Sequence, residues 1–198
     1  QELVLFPTID KIDNKLDFVV QLANKNQIIH DLTINNKVIL SAHKLGKEQI
    51  GILAYVQLHN ARDKKFILET ITKLISSGKS VSKRDYNNEN IYSLVIDDKE
   101  FHFSFLKGIL IYSPSSILME NAIRQSESQR SILDDNGFNM VRKTAGKNVD
   151  ANIYLNLSKL NEIISFALNN QQKAFISKYS NFGNWAELDI NLKTDAVL

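Results

Sequence analysis

Hydrophobic and polar residues along this chain follow two repeating patterns. In some segments apolar residues recur every three or four positions, which predicts amphipathic helices. In others apolar and polar residues alternate, or a short β-branched run is bounded by turn residues, which predicts strands. Helices are predicted over 9–24, 63–77 and 136–145, from Ser158 onward and around Phe175. Strands are predicted over 27–34, 37–43, 49–58, 80–86, 91–96, 101–106, 109–113, 150–156 and 185–198.

Short turn signals separate the predicted strands, at Asn35-Asn36, Leu45-Gly46, Asp97-Asp98 and Lys107-Gly108. Asn, Asp and Gly tolerate the backbone conformations that tight hairpins need. Strands joined in this way pair as antiparallel neighbours. The sequence therefore predicts an α+β fold of antiparallel sheets, arranged as hairpins and a meander, with helices packed on one face.

The strand over 101–106 alternates most strictly. Phe101, Phe103 and Phe105 fall on one face, and His102 and Ser104 fall on the other. We expect the phenylalanine face to be buried.

The segment Gly108–Arg124 reads as a strand, a Ser-Pro-Ser-Ser turn and a helix. Ser113 or Ser115 can cap that helix, with Pro114 near its first position, where a missing N–H is harmless. Because a helix start directs backbone N–H groups outward, Ser113, Ser115 and Ser116 are candidate anion-binding residues. The segment lacks the flanking glycines of a nucleophile elbow and has no phosphate-binding glycine loop.

Two α+β units are expected, over residues 1–130 and 131–198, packed together. Ala54–Leu58 aligns without a gap to Ala151–Leu155, and both segments read as a strand followed by a helix. An internal repeat would make two similar halves, with the second unit incomplete. Chance similarity between amphipathic elements is the alternative.

Composition excludes several kinds of chemistry. The 198 residues carry a net charge of +2 without a basic stripe, so no nucleic-acid partner is expected. The absence of cysteine excludes disulfides and thiol catalysis. His30, His43, His59 and His102 lack metal-ligand spacing, so no metal site and no cofactor are expected, although His43 and His59 could approach each other in a hairpin. No apolar stretch reaches the roughly 20 residues of a membrane span.

Aromatic residues near the end of the chain form the candidate interaction surface. Phe182 and Trp185 lie in an Asn-Phe-Gly-Asn-Trp segment, a predicted loop, and Tyr179 precedes it closely. Large aromatic side chains that are not needed in a core are frequent anchors of protein interfaces. Core packing is the alternative role for each of them.

Several short motifs carry a resemblance to a known family. They are Leu40–His43, Ile109–Arg124, Ser131–Leu133 with Gly137-Phe138, Asp150–Asn156 and Trp185–Asp189. In these motifs the chain resembles a family of uncharacterised exported proteins of Bacteroidetes. The resemblance implies an exported protein, periplasmic or attached to the outer membrane through an upstream lipid anchor, and it offers no catalytic residues to carry over.

These observations predict a non-catalytic binding or scaffolding module of a bacterial cell envelope, with a protein partner. The alternative is a small-ligand or anion-binding protein that uses the helix start near Ser113. A hydrolase with an unrecognised set of catalytic residues is a third possibility.

Overall fold

The computed structural model describes residues 37–46, 49–58, 61–76, 81–96, 99–164, 174 and 183–191. The strands are β1 (Val38–Lys44), β2 (Ile50–Gln57), β3 (Val81–Tyr86), β4 (Glu89–Ile96), β5 (Lys99–Leu106), β6 (Ile109–Ser113), β7 (Ala151–Asn156) and β8 (Trp185–Ile190). The helices are α1 (Ala61–Ser76), α2 (Ser116–Glu127), α3 (Asn136–Thr144) and α4 (Leu157–Ile164), with a 3₁₀ turn over Ile132–Asp134.

The chain divides into two compact units, residues 1–129 and residues 130–198, which we call the first and second units. The first unit contains a six-stranded sheet in the order β1-β2-β6-β5-β4-β3. Every neighbouring pair in this sheet is antiparallel. The expected α+β fold with antiparallel sheets is therefore confirmed.

Two hairpins of the first sheet close through two-residue turns with left-handed backbone. Asn87 and Asn88 have φ values of 48° and 61°, and Lys107 and Gly108 have φ values of 48° and 82°. Positive φ at both central residues matches the right-handed twist of the flanking strands. The turn predicted at Lys107-Gly108 is confirmed, whereas the Asn87-Asn88 turn was not identified from the sequence.

One face of the first sheet packs against α2. Met119 and Ile123 of the helix are completely buried and join Ile91, Leu106 and Ile111 from three different strands. Burial of large aliphatic side chains of this kind stabilises a fold by about 1.5–3 kcal/mol each. This cluster holds α2 on the sheet.

The opposite face of the same sheet packs against α1. Ile67 of the helix and Phe105 of β5 are buried together, with Tyr92, Phe103 and Leu110 partly buried against them. The two helices therefore cover opposite faces of the sheet, and the expectation that the helices share one face is wrong for the first unit. Strand alternation identifies an apolar face, but it does not show whether the other face is also covered.

The second unit contains a two-stranded antiparallel sheet, β7 with β8. The 3₁₀ turn and α3 precede β7, and α4 follows it directly. Ser131 and Asp134 form a reciprocal capping box around the 3₁₀ turn, and Asp135 caps α3 through a 3.0 Å hydrogen bond from the Phe138 N–H. Both aligned segments are a strand followed by a helix, β2 with α1 and β7 with α4. Their strand pairing differs, because β2 pairs with both β1 and β6, whereas β7 pairs with β8.

Most element bounds agree with the sequence within two residues, and the differences concern helix starts. Helix α1 begins at Ala61, so Asp63 lies in its first turn instead of capping it. Pro114 lies before the N-cap Ser115, not at the first helical position. The predictions for 9–24, 27–34, Asn35-Asn36, Asp97-Asp98, Phe175 and 192–198 lie outside the described residues.

Candidate functional site

A row of buried polar side chains crosses the face of the first sheet that α2 covers. Ser93 of β4 pairs with His102 of β5, and His102 pairs with Ser113 of β6. We call these three residues the polar row. They are 7%, 6% and 0% exposed. Polar groups this deeply buried need hydrogen-bond partners, so the partners of each member show what the row does.

His102 is bonded to its neighbour on β4. The Ser93 Oγ lies 2.8 Å from His102 Nδ1. Burial lowers the pKa of His102 below its ordinary value of 6.5, and this effect outweighs the nearby Glu100 and Glu120 carboxylates, which raise the pKa. The ring is therefore neutral near pH 7. A Ser-His pair is a familiar nucleophile and base, but both residues of this pair are buried.

Ser113 connects three elements of the first unit. Its hydroxyl donates to the Ile52 carbonyl at 2.8 Å and accepts from the Ser115 N–H at 3.0 Å. Ser115 is the N-cap of α2 and accepts from the Leu118 N–H at 3.4 Å. Ser116 is the first residue of the helix. The hydroxyls of Ser113 and Ser115 are thus engaged in positioning α2, and an anion at this helix start would compete with them.

A second Ser-His pair lies on β1. Ser41 Oγ is 2.8 Å from His43 Nε2, and burial lowers the pKa of His43. Tyr55 of β2, which lies directly across from Ile39, has its pKa raised by burial. The register pairs His43 with Gly51, at the start of β2, whereas His59 follows the end of that strand in the sequence. His59 itself lies outside the described residues.

Polar contacts at the sheet surface also attach α2 to two hairpins. Arg84 of β3 forms an ion pair with Glu120 at 2.6 Å. Beyond it, the Asn87 side chain donates to Glu127 at 3.0 Å, and Lys107 donates to the Ser126 carbonyl at 2.8 Å. These contacts are solvent-exposed, and each contributes modestly to stability.

Trp185 is the one residue of the predicted aromatic surface that the described part of the chain includes. Its ring packs edge-on against Phe138 of α3 at 5.2 Å, and Phe138 also contacts Tyr154 of β7 at 5.1 Å. The Asp135 carboxylate accepts a hydrogen bond from the Phe138 N–H, and this bond lowers its pKa. Trp185 therefore contributes to the packing of the second unit. Tyr179 and Phe182 lie outside the described residues.

An acidic pair lies on the same face of the second sheet. The Glu187 and Asp189 carboxyl groups interact directly, so the pKa of Glu187 is raised and the pKa of Asp189 is lowered. Asp189 accepts from the Asn152 side chain at 2.7 Å and from the Gly146 N–H at 2.9 Å. A Cβ at residue 146 would lie 2.6 Å from an Asp189 oxygen, so a larger residue there would require the Asp189 side chain to move.

Large apolar side chains are exposed at the start of the second unit. Ile132 and Leu133 on the 3₁₀ turn are 46% and 50% exposed, and Met140 on α3 is 71% exposed. The Asn139 side chain donates to the Leu133 carbonyl and ties the turn to the helix. We call Ile132, Leu133 and Met140 the apolar surface. Sequence reasoning missed it because large aliphatic residues are usually buried, although Met140 lies opposite Phe138 in helical projection.

Two further kinds of site are absent from the described part of the chain. Within those residues, no group of three or more His, Cys, Asp or Glu side chains could hold a metal ion. No helix among them is both long and apolar enough to span a membrane. The chain matches no protein-family model, no curated protein and no solved structure.

Proposed function

We propose that this protein is a non-catalytic binding or scaffolding module of a bacterial cell envelope, and that a protein partner contacts the second unit. The observation that carries the proposal is the apolar surface. Three large apolar side chains within nine residues are exposed at the start of the second unit. Exposed apolar clusters are characteristic of interaction sites.

The order of the surrounding backbone supports recognition by this surface. The capping box fixes the start of the 3₁₀ turn, and Asp135 both ends that turn and caps α3. Phe138 anchors the helix on the side that faces Trp185. A surface held in one conformation loses little entropy when it binds a partner.

The envelope location rests on the resemblance to exported proteins of Bacteroidetes. The absence of cysteine in the sequence is compatible with either side of a membrane. An anion-binding role for the α2 start gains no support from the structure, because the hydroxyls of Ser113 and Ser115 bond within the protein.

The proposal is tested by replacing Met140 with a photo-crosslinking amino acid in the bacterium that naturally makes this protein. A second variant with the crosslinker at Ile117, which is 59% exposed on α2, serves as the matched control. We expect one envelope protein to be captured from residue 140 and not from residue 117. That protein must also bind the purified wild-type chain, and Leu133→Gln with Met140→Gln must weaken this binding at least tenfold.

Equal capture at both positions, or unchanged binding by the double variant, would refute the proposal. Trp185 fluorescence verifies that the double variant keeps its fold, since this single tryptophan packs on α3. Alanine at residue 185 is unsuitable for this test, because it removes a packed side chain instead of a surface contact.

A further inference from the structure

The two edges of the first sheet differ in how they are protected. Among the residues that the structure describes, β1 and β3 each pair with one neighbour and form the two ends of the strand order. The β3 edge carries three consecutive exposed charged residues, Lys83, Arg84 and Asp85. Charged side chains of this kind discourage a sheet edge from pairing with another strand. The β1 edge has no charged residue between Val38 and His43.

Strand β1 instead exposes a run of apolar side chains. Val38, Ile39 and Leu40 are 36%, 54% and 45% exposed, and Ala42 is exposed as well. The strand contains no proline or glycine, and its register with β2 continues through all seven residues without a bulge. Its one charged residue, Lys44, is the last of the strand. β1 therefore lacks the features that normally block pairing at a sheet edge.

The backbone hydrogen bonds of β1 show which of its groups point away from β2. The Leu45 N–H donates to the Gln49 carbonyl at 2.8 Å, and the Gln57 N–H donates to the Lys37 carbonyl at 3.4 Å. In an antiparallel pair, hydrogen-bonded positions alternate with positions that are not hydrogen-bonded. The odd-numbered residues of β1 therefore bond to β2. The N–H and C=O groups of the even-numbered residues point outward, and these residues are Val38, Leu40, Ala42 and Lys44.

The strand is complementary to a second copy of itself. In an antiparallel pair with Ser41 opposite Ser41 of the copy, Leu40 lies opposite Ala42 of the copy. Val38 then lies opposite Lys44 of the copy, so all seven residues of β1 have a partner. The outward N–H and C=O groups meet in hydrogen-bonded pairs, because even-numbered residues face even-numbered residues. No like charges lie directly opposite each other, since each lysine faces a valine.

The face of β1 that carries Ser41 also fits the copy. In the same register Ile39 lies opposite His43 of the copy. The His43 Nε2 lies 2.8 Å from the Ser41 Oγ of its own strand, so both polar side chains already have a partner. Burial lowers the pKa of His43, and its ring is therefore neutral near pH 7 and can contact the isoleucine without desolvating a charge.

We propose that the protein forms a two-fold symmetric dimer through antiparallel pairing of β1 with β1 of a second copy, centred on Ser41. The pairing joins two six-stranded sheets into one continuous sheet. The charged β3 edge discourages further strand addition, so association ends at the dimer. Interfaces smaller than about 1,200 Å² form weak complexes, and one pair of seven-residue strands belongs to this class. The dimer is independent of the protein partner proposed for the second unit.

Sedimentation velocity of the full chain measures the dimer directly. Between about 1 μM and about 500 μM protein, we expect the mass to rise from 22.5 kDa toward twice that value. Ala42→Pro removes one outward N–H, a change that an edge strand tolerates, and raises the dissociation constant at least about tenfold. Leu40→Lys does the same by placing a charge in the strand interior. Ile117→Lys, at a site that is 59% exposed on α2, leaves the dissociation constant unchanged.

Single cysteines test the register, because the chain has none of its own. Residues that face each other at a position without hydrogen bonds have Cα atoms about 4.5 Å apart, which suits a disulfide. In a glutathione redox buffer we therefore expect Ser41→Cys to form a disulfide-linked dimer. Ile39→Cys and His43→Cys form none when each is alone, whereas a mixture of the two variants does, because these positions face each other across the two copies.

A chain that stays monomeric up to about 500 μM would overturn the proposal, and would leave the β1 edge to a strand of another protein. A dimer that persists in the folded Ala42→Pro and Leu40→Lys variants would overturn it as well, because the dimer would then use another surface. So would cross-linking of Ile117→Cys as fast as that of Ser41→Cys. Far-UV circular dichroism at about 1 μM, where the wild type is monomeric, verifies that each variant is folded.

The apolar surface of the second unit is kept separate by one further variant. Leu133→Gln with Met140→Gln leaves the β1 dimer intact, since neither residue lies on the first sheet. Loss of the dimer in this variant would overturn the proposal in favour of self-association through the second unit. A dimer that this variant keeps and Ala42→Pro loses supports β1 pairing, whatever the outcome of the envelope-partner experiment.

Discussion

Ser104 provides a direct test of the energetics beneath α2. Its side chain is completely buried, and its Oγ has no hydrogen-bond partner among the described residues. It lies two residues from His102 on the same face of β5, directly opposite Ile111. A buried hydroxyl without a partner loses its hydrogen bonds to water and gains nothing in return. We therefore expect Ser104→Ala to stabilise the first unit.

The magnitude follows from two opposing contributions. Removal of an unpaired buried hydroxyl recovers about 1–3 kcal/mol of desolvation cost. The space left by one oxygen atom costs a few tenths of a kcal/mol at about 24 cal/mol per Å³. The net expectation is a stabilisation of about 1 kcal/mol.

Ser113→Ala is the matched control, because Ser113 is equally buried on the same face. Its hydroxyl bonds the Ile52 carbonyl and the Ser115 N–H, and loss of both bonds destabilises the unit by about 1–3 kcal/mol. Pulsed hydrogen exchange along a urea series, read by mass spectrometry on peptides from β5 and β6, measures both variants in the first unit. A Ser104→Ala midpoint below that of the wild type, or the same sign for both variants, would refute the reasoning.

Three further predictions concern other positions. Gly51→Ala places a Cβ 2.5 Å from a Leu118 side-chain atom of α2, so we expect it to destabilise the first unit by about 1–2 kcal/mol. In a double-mutant cycle measured by urea unfolding, Leu118→Ala in the same chain recovers part of this loss. Asn88 has a positive φ of 61°, which glycine adopts without steric cost. We therefore expect Asn88→Gly to raise the free energy of unfolding, measured by thermal denaturation, by about 0.5 kcal/mol, whereas Asn88→Val lowers it. Asp135→Ala removes the α3 cap and lowers the urea midpoint followed by Trp185 fluorescence at pH 7. Because the pKa of Asp135 is lowered in the fold, its charge stabilises above pH 3.8, and this advantage over Asp135→Asn disappears as the pH falls below that value.

The candidate site illustrates how far a sequence pattern reaches. The strict alternation in 101–106 correctly places three phenylalanines on one face and His102 and Ser104 on the other. The Ser-Pro-Ser-Ser turn correctly predicts the start of a helix that Ser115 caps. Neither pattern indicates that His102 and Ser104 are buried, because alternation describes one strand and carries no information about what packs above it.

Local sequence determined the elements of this protein, including strand β6, the Lys107-Gly108 hairpin and the start of α2, since each depends on residues that are close along the chain. Only the tertiary structure decided that β2 lies beside β6, with Ala54 opposite Tyr112. That pairing brings the Ile52 carbonyl to Ser113, and the packing of α2 on the sheet buries Met119 and Ile123 against Ile91. Such contacts join residues dozens of positions apart, and their energies arise from burial and hydrogen bonding that exist only once the sheet has formed.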